Sequence, residues 1–322
     1  TVWKKVIPII RTAIMPSGKS IKVATRSSPL SIAQTNETIT QLKKTLPEHT
    51  FEIVALESEG DRRKTEDLSK LERGVFAKTV ELALLDGRAD IAVHSAKDVP
   101  AEILEELQIA GYLRRQDPRD VLVHSGYETL RELPKGFRLG TSSQRRACQI
   151  LRIRPDLQVV PIRGNVDSRI SFVETKEVDG VVLAASGILR LGLEKHISSF
   201  ISTRDCVPDV GQGAILVQCS SHDESIYGLL NQALDAKTEI EVTSERAFLS
   251  FVSASCKSPV AAHSVLDGGS LNMIAMAGLP DGSEYYFVEH SSKPNSPDKA
   301  GEELALKLAK SGAAHLLGKL IV

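Results

Sequence analysis

Short apolar segments alternate with segments of helical periodicity over the first two thirds of the chain. The strand-like segments are residues 21–25, 51–56, 90–93, 120–124, 138–139, 159–162, 180–184 and 210–218, and helical spacing covers residues 28–42, 75–85, 142–151 and 166–174. This alternation predicts β-α-β units built around parallel sheets. We expect two similar α/β units joined near residues 114–118, with the segment 210–218 returning to the first unit.

The pattern changes after residue 238. Residues 239–252 have helical spacing, and strand-like segments follow at 261–266, 271–279 and 285–290. The dipeptides Asp267-Gly268 and Asp281-Gly282, which separate these strands, favour hairpin turns. With a closing helix over 300–321, this part is predicted to form a small α+β domain with a three-stranded antiparallel sheet.

A chain of 322 residues is long for a single hydrophobic core. We predict an N-terminal extension (1–20), a first domain (21–113 plus 210–232), a second domain (114–209) and a third domain (233–322).

The composition narrows the classes of function. Hydrophobic residues make up 42% and charged residues 25% of the chain, as in ordinary soluble globular proteins. A net charge of −1 and an aromatic content of 4% argue against a nucleic-acid surface. No apolar run approaches the ~20 residues of a membrane span. We therefore expect a soluble protein without nucleic-acid or membrane partners. We also expect a monomer, because two units that close on a ligand need no partner chain.

The start of the chain is poor in acidic residues. No Asp or Glu precedes Glu37, whereas six Lys or Arg residues do. Such a start is found in organelle transit peptides and equally in flexible extensions. The expected location is the cytoplasm, or a plastid if residues 1–20 are the remnant of a transit peptide.

The four cysteines (Cys148, Cys206, Cys219 and Cys256) are scattered, without the spacing of a zinc site or a disulfide framework. Cys256 lies in a predicted loop beside Lys257, which could lower the thiol pKa and favour a reactive thiolate. A small buried residue is the alternative. The local sequence leaves both open.

Residues 89–100 combine a buried strand with polar chemistry at its carboxyl end. The strand is followed by Ser95, Lys97 and Asp98, and Pro100 then prevents further pairing. Ligands bind beyond the strand ends of open α/β sheets, and a carboxylate fixed there can stabilise a reacting cation. His94 and Asp98 are four residues apart, but the preceding strand and Pro100 disfavour a helical metal pair, so we expect no metal site.

The second unit carries groups that bind anions. Thr141, Ser142 and Ser143 offer hydroxyls and amides at a helix start, and a small-residue turn includes Gly187. Arginines fall mostly at or just past predicted strand ends: Arg26, Arg145, Arg146, Arg163, Arg169 and Arg190. Arginine binds carboxylates and phosphates through two parallel hydrogen bonds. The set predicts a polyanionic ligand, although a single arginine of this kind is more often part of a surface salt bridge.

The motifs together resemble the porphobilinogen deaminase (hydroxymethylbilane synthase) family. The matching blocks are VATRSSPLSIAQ (23–34), ADIAVHSAKDVP (89–100), RRQDPRDVLV (114–123), LGTSSQRRACQ (139–149), IRGNVDSR (162–169), LAASGILRLGL (183–193), VGQGA (210–214), SERAFL (244–249) and SCKSPVAAH (255–263). They follow the family's order from about residue 21 to the end.

The resemblance implies two periplasmic-binding-protein-like α/β domains and a third α+β domain. It implies a transferase that joins four porphobilinogen molecules head to tail, releasing ammonia at each step, to give hydroxymethylbilane. A dipyrromethane cofactor attached by a thioether to Cys256 would serve as primer, and Asp98 would be the catalytic carboxylate.

The remaining site residues also follow from the resemblance. Cofactor contacts are expected at Lys97, Ser95, Ser143, Arg145, Arg146 and Gly187. Contacts to porphobilinogen and the growing polypyrrole chain are expected at Arg26, Ser28, Thr141, Ser142, Arg163, Arg169 and Arg190.

Some positions depart from the family pattern. A loop that is commonly glycine-rich, with lysine before Gly-Leu-Phe, reads Leu71-Glu72-Arg73-Gly74-Val75-Phe76 in this chain. Glu59 and Asp209 are acidic where small or basic residues are common. These departures bear on loop motion and on the rate of chain elongation more than on the reaction itself.

A second hypothesis is a two-lobed protein that binds a small anion without catalysis. Paired α/β units and arginines suit it equally well. Cys256 and a third domain separate the two hypotheses, because a simple binding protein needs neither.

Overall fold

The computed structural model describes residues 18, 20–57, 75–124, 126–252 and 259–317. Across these ranges the strands form three sheets, two of five strands and one of three. The expected mixed α/β class, with a small antiparallel C-terminal unit, is confirmed. The exact domain boundaries stay predictions.

The first sheet has the strand order β2-β1-β3-β10-β4. Its strands are β1 (Ser20–Arg26), β2 (Thr50–Leu56), β3 (Ile91–Ser95), β4 (Leu107–Tyr112) and β10 (Ile215–Ser220). The helices along this part of the chain are α1 (Pro29–Thr45), α2 (Val75–Leu85) and α6 (Glu224–Asn231). Strands β1, β2 and β3 are parallel, whereas β10 runs antiparallel to β3 and β4. The predicted return of the chain to this sheet is confirmed, and we call the sheet with these helices the first unit.

The second sheet repeats the arrangement, with the order β7-β6-β8-β5-β9. Its strands are β5 (Asp120–His124), β6 (Arg138–Gly140), β7 (Gln158–Val160), β8 (Gly180–Ala184) and β9 (Ser199–Phe200). The helices are α3 (Gln144–Ile153), α4 (Val166–Glu174) and α5 (Ala185–Arg190). In both sheets the fourth strand is antiparallel to its neighbours. We call this sheet with its helices the second unit.

The third unit packs two helices on an antiparallel sheet. The strands β11 (Val260–Asp267), β12 (Ser270–Gly278) and β13 (Tyr285–Ser292) pair in sequence order, and the helices are α7 (Ala236–Val252) and α8 (Pro297–Lys310). Gly268 and Gly269 adopt φ of +54° and +79°, which suits the two-residue hairpin that joins β11 to β12. The core includes Phe248 and Leu304.

Some helix and strand ends differ from those predicted from the sequence. The closing helix ends at Lys310 rather than at residue 321, because Gly312 turns the chain with φ +111° where a Cβ would lie 2.9 Å from the Tyr286 ring. Strand β10 begins at Ile215, five residues later than predicted, after Gly211 and Gly213 adopt positive φ. Elements β4, β9, α5 and α6 are absent from the prediction.

Two segments, residues 114–118 and 209–214, connect the first and second units; we call them the crossover segments. They touch where Gln116 N donates to Gly213 O at 3.2 Å. A Cβ on Gly213 would lie 2.5 Å from Gln116 O, so this contact requires glycine.

Among the described residues, no helix has the length and apolar character needed to cross a membrane.

Candidate functional site

A cavity of about 730 Å³ lies between the first and second units. The first unit lines it with residues that follow the carboxyl ends of β1 and β3, including Arg26 and Asp98. The second unit contributes Arg163 and Arg169, and the crossover segment 209–214 contributes Gly211. The cavity therefore lies where ligands bind in open α/β sheets.

Asp98 reaches the cavity from a single tight turn. Strand β3 ends at Ser95, and residues Ala96–Asp98 form one 3-10 turn that closes with Val99 N donating to Ala96 O. Arg26 Nη1 lies 4.0 Å from Asp98 Oδ2, and the Asp98 side chain is 33% exposed. The carboxylate is thus held beside a guanidinium and is open to the cavity.

Helix α7 of the third unit forms hydrogen bonds with the residues that follow this turn. Arg246, on α7, donates from Nη2 to Pro100 O at 2.6 Å and to Ala101 O at 3.0 Å. Sequence reasoning missed Arg246. Its signal was a charged residue in a helical segment beside Phe248 and Leu249, which are buried.

Ser95 is fixed by another residue that sequence reasoning missed. Gln34 on α1 donates from Nε2 to Ser95 Oγ at 2.9 Å and also lines the cavity. Next to it, burial lowers the pKa of His94 to about 4, Arg26 lowers it further, and a hydrogen bond with Gln218 opposes both. His94 is therefore neutral at pH 7 and adds no charge to the site.

Lys97 lines the cavity, and its amine has no hydrogen-bonding partner among the described residues. Burial lowers the pKa of its ammonium, against which Asp98 raises it. Within the described part of the chain, Lys97 forms no hydrogen bond or ion pair. A ligand carboxylate bound next to this amine would raise its pKa and favour the charged form.

The second unit positions its cations through Asp120, which is fully buried. Arg146 donates to Asp120 Oδ1 at 2.8 and 3.0 Å, and Arg145 Nη1 lies 2.8 Å from Asp120 Oδ2. Although burial raises the pKa of Asp120, the two guanidinium groups outweigh it and hold this pKa below its ordinary value. Arg146 reaches the cavity, whereas Arg145 Nη1 turns to Val207 O at 2.6 Å.

Arg169 faces the first unit from the start of α4. Its Nε donates to Gly164 O at 2.9 Å. Burial and the charge of Arg146 lower the pKa of Arg169 to about 10, and the charge of Asp98 opposes this. The guanidinium therefore stays protonated at neutral pH and interacts electrostatically with Asp98.

Ten of the predicted site residues line the cavity: Arg26, Ser28, Ser95, Lys97, Asp98, Arg146, Arg163, Arg169, Gly187 and Arg190. Arg190 also forms an ion pair that the sequence did not indicate, with Glu37 Oε2 at 2.9 Å from its Nε. Cys256 lies outside the described residues, as do Glu59 and the loop 71–74.

Four predicted residues have other contacts and are not among those that line the cavity. Ser142 Oγ donates to Ile162 O, Ser143 Oγ accepts from Arg146 N and caps α3, and Thr141 Oγ1 accepts from Ser143 N. Arg145 is the fourth. For these residues a role in ligand binding stays a prediction.

The cavity carries an excess of positive charge. Its described lining includes six basic residues (Arg26, Lys97, Arg146, Arg163, Arg169 and Arg190) and two acidic ones (Glu57 and Asp98). Nowhere among the described residues do three or more His, Cys, Asp or Glu side chains form a group that could hold a metal ion. The arrangement suits a ligand with several carboxylates and a reaction that needs one fixed carboxylate.

Comparison with known proteins agrees with this chemistry. Residues 21–228 match the family model "Porphobilinogen deaminase, dipyromethane cofactor binding domain", and residues 239–310 match "Porphobilinogen deaminase, C-terminal domain". Porphobilinogen deaminase of Clostridioides difficile is 40% identical over 90% of this chain and 96% of its own length. The Bacillus subtilis enzyme is 38% identical over 94% of this chain and 96% of its own length.

A solved structure of the methionine-binding protein MetQ is 12% identical, with a TM-score of 0.43 over 70% of this chain and 94% of that chain. That score is too low to support an argument. The family models and the two sequence relatives, which cover nearly the whole chain, show that it belongs to the porphobilinogen deaminase family.

Proposed function

We propose that the chain condenses four porphobilinogen molecules head to tail into hydroxymethylbilane, releasing ammonia at each step, with Asp98 as the catalytic carboxylate. Membership of the porphobilinogen deaminase family establishes the class of enzyme. The observation that supports the assignment of Asp98 is its position in the cation-lined cavity, beside Arg26 and within the field of Arg169.

The residues present fit a dipyrromethane cofactor. Each of its two pyrrole rings carries an acetate and a propionate, so the group is a polycarboxylate. Lys97, an ammonium without a hydrogen-bonding partner among the described residues, and the guanidinium groups of Arg146 and Arg169 offer matching charges. Cys256 is the proposed point of attachment. When bound, the cofactor supplies the pyrrole carbon to which the first substrate is added.

The chain's own residues would act on the substrate by orientation and charge. Arg26 and Ser28 of the first unit, with Arg163 of the second, would hold the substrate's acetate and propionate. Departure of ammonia leaves positive charge on the pyrrole nitrogen, and the Asp98 carboxylate would stabilise it. The same carboxylate would accept the proton that is lost as the new carbon–carbon bond forms.

The hypothesis of a two-lobed binding protein without catalysis loses its support. Relatives with full-length similarity carry the name of an enzyme, and a separate C-terminal family model matches the third unit. The absence of nucleic-acid and membrane partners remains our proposal from composition. A monomer remains our proposal because two units that close on a ligand need no partner chain. The relatives named above are bacterial and give no support to a plastid location.

An activity assay and a measurement of the intact protein mass together test the proposed function. Purified protein from a porphobilinogen-producing host should consume porphobilinogen and release ammonia in equal amounts. Its intact mass should exceed the sequence mass by one dipyrromethane, and Cys256→Ser should lack this increment. A wild-type protein that neither carries the increment nor consumes porphobilinogen would refute the proposal.

A further inference from the structure

Glu37 and Arg190 join the first and second units across the cleft. Glu37 lies on α1 and Arg190 is the last residue of α5. Arg190 Nε donates to Glu37 Oε2 at 2.9 Å, and its Nη2 donates to Gly213 O at the same distance. The Arg190 side chain is 3% exposed and that of Glu37 is 33% exposed. One guanidinium thus contacts a helix of the other unit and a crossover segment.

The contact coincides with the point where the crossover segments meet. Gly213 O accepts from Arg190 and also from Gln116 N at 3.2 Å. Nearer the cavity, α1 and α5 approach each other closely, since a Cβ on Gly187 would lie 3.7 Å from Leu30 Cδ2. The ion pair therefore lies next to both crossover segments that connect the two units.

Arg190 depends on Glu37 for compensation of its charge. Burial lowers the pKa of the guanidinium, and the charge and hydrogen bond of Glu37 oppose this. Breaking a buried ion pair by removing one partner is strongly destabilising, because the other charge stays buried without compensation. Loss of the Glu37 carboxylate should therefore drive Arg190 out of the contact.

We propose that Glu37 is a positioning residue. Through Arg190 it sets the angle between the two units, and hence the separation of the first-unit cation Arg26 from the second-unit cations Arg163 and Arg169. Through Nε, which donates to Glu37, and Nη2, which donates to Gly213 O, Arg190 connects the two units. The effect on catalysis rests on the proposed function, whereas the structural effect does not.

Hydrogen exchange of the purified protein tests the structural effect without substrate. The variant Glu37→Gln keeps the shape of the side chain and removes its charge, and Asn36→Ala is the control because Asn36 is exposed on the same helix. We expect amides of the crossover segments 114–118 and 209–214 to exchange about 5- to 30-fold faster in Glu37→Gln and at the wild-type rate in Asn36→Ala. Unchanged exchange in Glu37→Gln would overturn the proposal.

Steady-state kinetics test the positioning role. If the units separate, ligand contacts weaken equally in the ground and transition states, so KM for porphobilinogen should rise about tenfold with little change in kcat. Arg190→Lys should behave alike, because an ammonium lacks the fixed fork that reaches both Glu37 and Gly213. The double variant should be no worse than either single one, since both break the same contact.

A lower kcat at unchanged KM would show that Glu37 affects the transition state alone, and would contradict the positioning role. If the wild type itself showed no turnover, the proposed function would fail while the exchange result still decided whether the tie exists.

Discussion

Arg115 places two guanidinium nitrogens 2.6 and 3.1 Å from the two carboxylate oxygens of Glu245, a side chain with no exposed surface. The pair links a crossover segment to helix α7 of the third unit. Glu245 Oε2 also accepts from Gly211 N at 2.7 Å, so the second crossover segment is attached to the same carboxylate. One side chain thereby holds both connections between the units against the third unit.

The first prediction concerns the stability that Glu245 confers. Glu245→Gln leaves the Arg115 guanidinium, 6% exposed, with only the more distant Glu241 carboxylate at 4.0 Å to compensate its charge, and should lower the free energy of unfolding by about 3 kcal/mol. Urea denaturation followed by circular dichroism measures this. The control is Glu239→Gln, an exposed carboxylate on the same helix, which should change stability by less than about 0.5 kcal/mol. Equal midpoints for the two variants would contradict a structural role for the pair.

The stability that the ionised Glu245 carboxylate confers should also be lost in acid. Burial raises its pKa, but Arg115 and His263 outweigh burial and lower it to about 2. Because the unfolded chain binds this proton at a higher pH than the folded protein, the stabilisation is complete above about pH 4.5 and is lost as the pH falls towards 2.

The second prediction uses His94, which acts in a different pH window. Burial is the main cause that lowers the pKa of His94 from 6.5 to about 4. The unfolded chain therefore binds a proton at His94 near pH 6.5, whereas the folded protein binds it only near pH 4. The contribution of His94 to stability should therefore be constant above pH 6.5 and should fall by about 3 kcal/mol towards pH 4. In His94→Asn that decline should be absent. Parallel stability curves between pH 6.5 and 4.5 for wild type and variant would be the contrary result.

The sequence predicted the two α/β units well because their apolar strands leave a strong periodic signal. The buried strand before Lys97, Asp98 and Pro100 indicated a polar strand end, and Asp98 does line the cavity. Its catalytic role came from the family resemblance and stays a prediction. Short elements such as β9 and α5 escaped, because two to six residues carry too little periodicity to be recognised.

The partners of the charged residues could not be predicted. The ion pair of Glu37 with Arg190 spans 153 positions, and that of Arg115 with Glu245 spans 130. Nothing in the local sequence distinguishes an arginine that faces a ligand from one that faces a carboxylate elsewhere in the fold. Arg145 and Arg146 illustrate this, because adjacent arginines share Asp120 yet only Arg146 lines the cavity.

The third prediction tests the proposed catalytic carboxylate. Asp98→Asn keeps the shape of the side chain and removes the charge that would stabilise the substrate cation, so turnover should fall by about 10²- to 10⁴-fold. Stability should change little, since Asp98 is 33% exposed and Arg26 lies 4.0 Å away. Glu102→Gln, at an exposed position four residues further on, is the matched control. Turnover within tenfold of the wild type would move the catalytic role to another residue.

The fourth prediction concerns Lys97, for which stability and binding should change in opposite directions. Burial lowers the pKa of its ammonium, and no described residue forms a hydrogen bond or ion pair with it. In a Cys256→Ser background, Lys97→Met removes a poorly solvated charge, and the protein should gain up to about 1 kcal/mol of stability. In this background the proposed cofactor position is open to porphobilinogen. Lys97→Met removes a charge-assisted contact to carboxylates bound there, and the affinity for porphobilinogen should fall about 10- to 100-fold.

Thermal denaturation and titration calorimetry with porphobilinogen measure the two effects of Lys97→Met in the same Cys256→Ser protein. Lys78→Met is the control, because Lys78 is exposed on α2, away from the cavity lining, and should leave both quantities unchanged. If Lys97 serves to bind a ligand, Lys97→Met should be more stable and should bind porphobilinogen more weakly. A destabilised variant with unchanged affinity would instead show that the ammonium serves the fold.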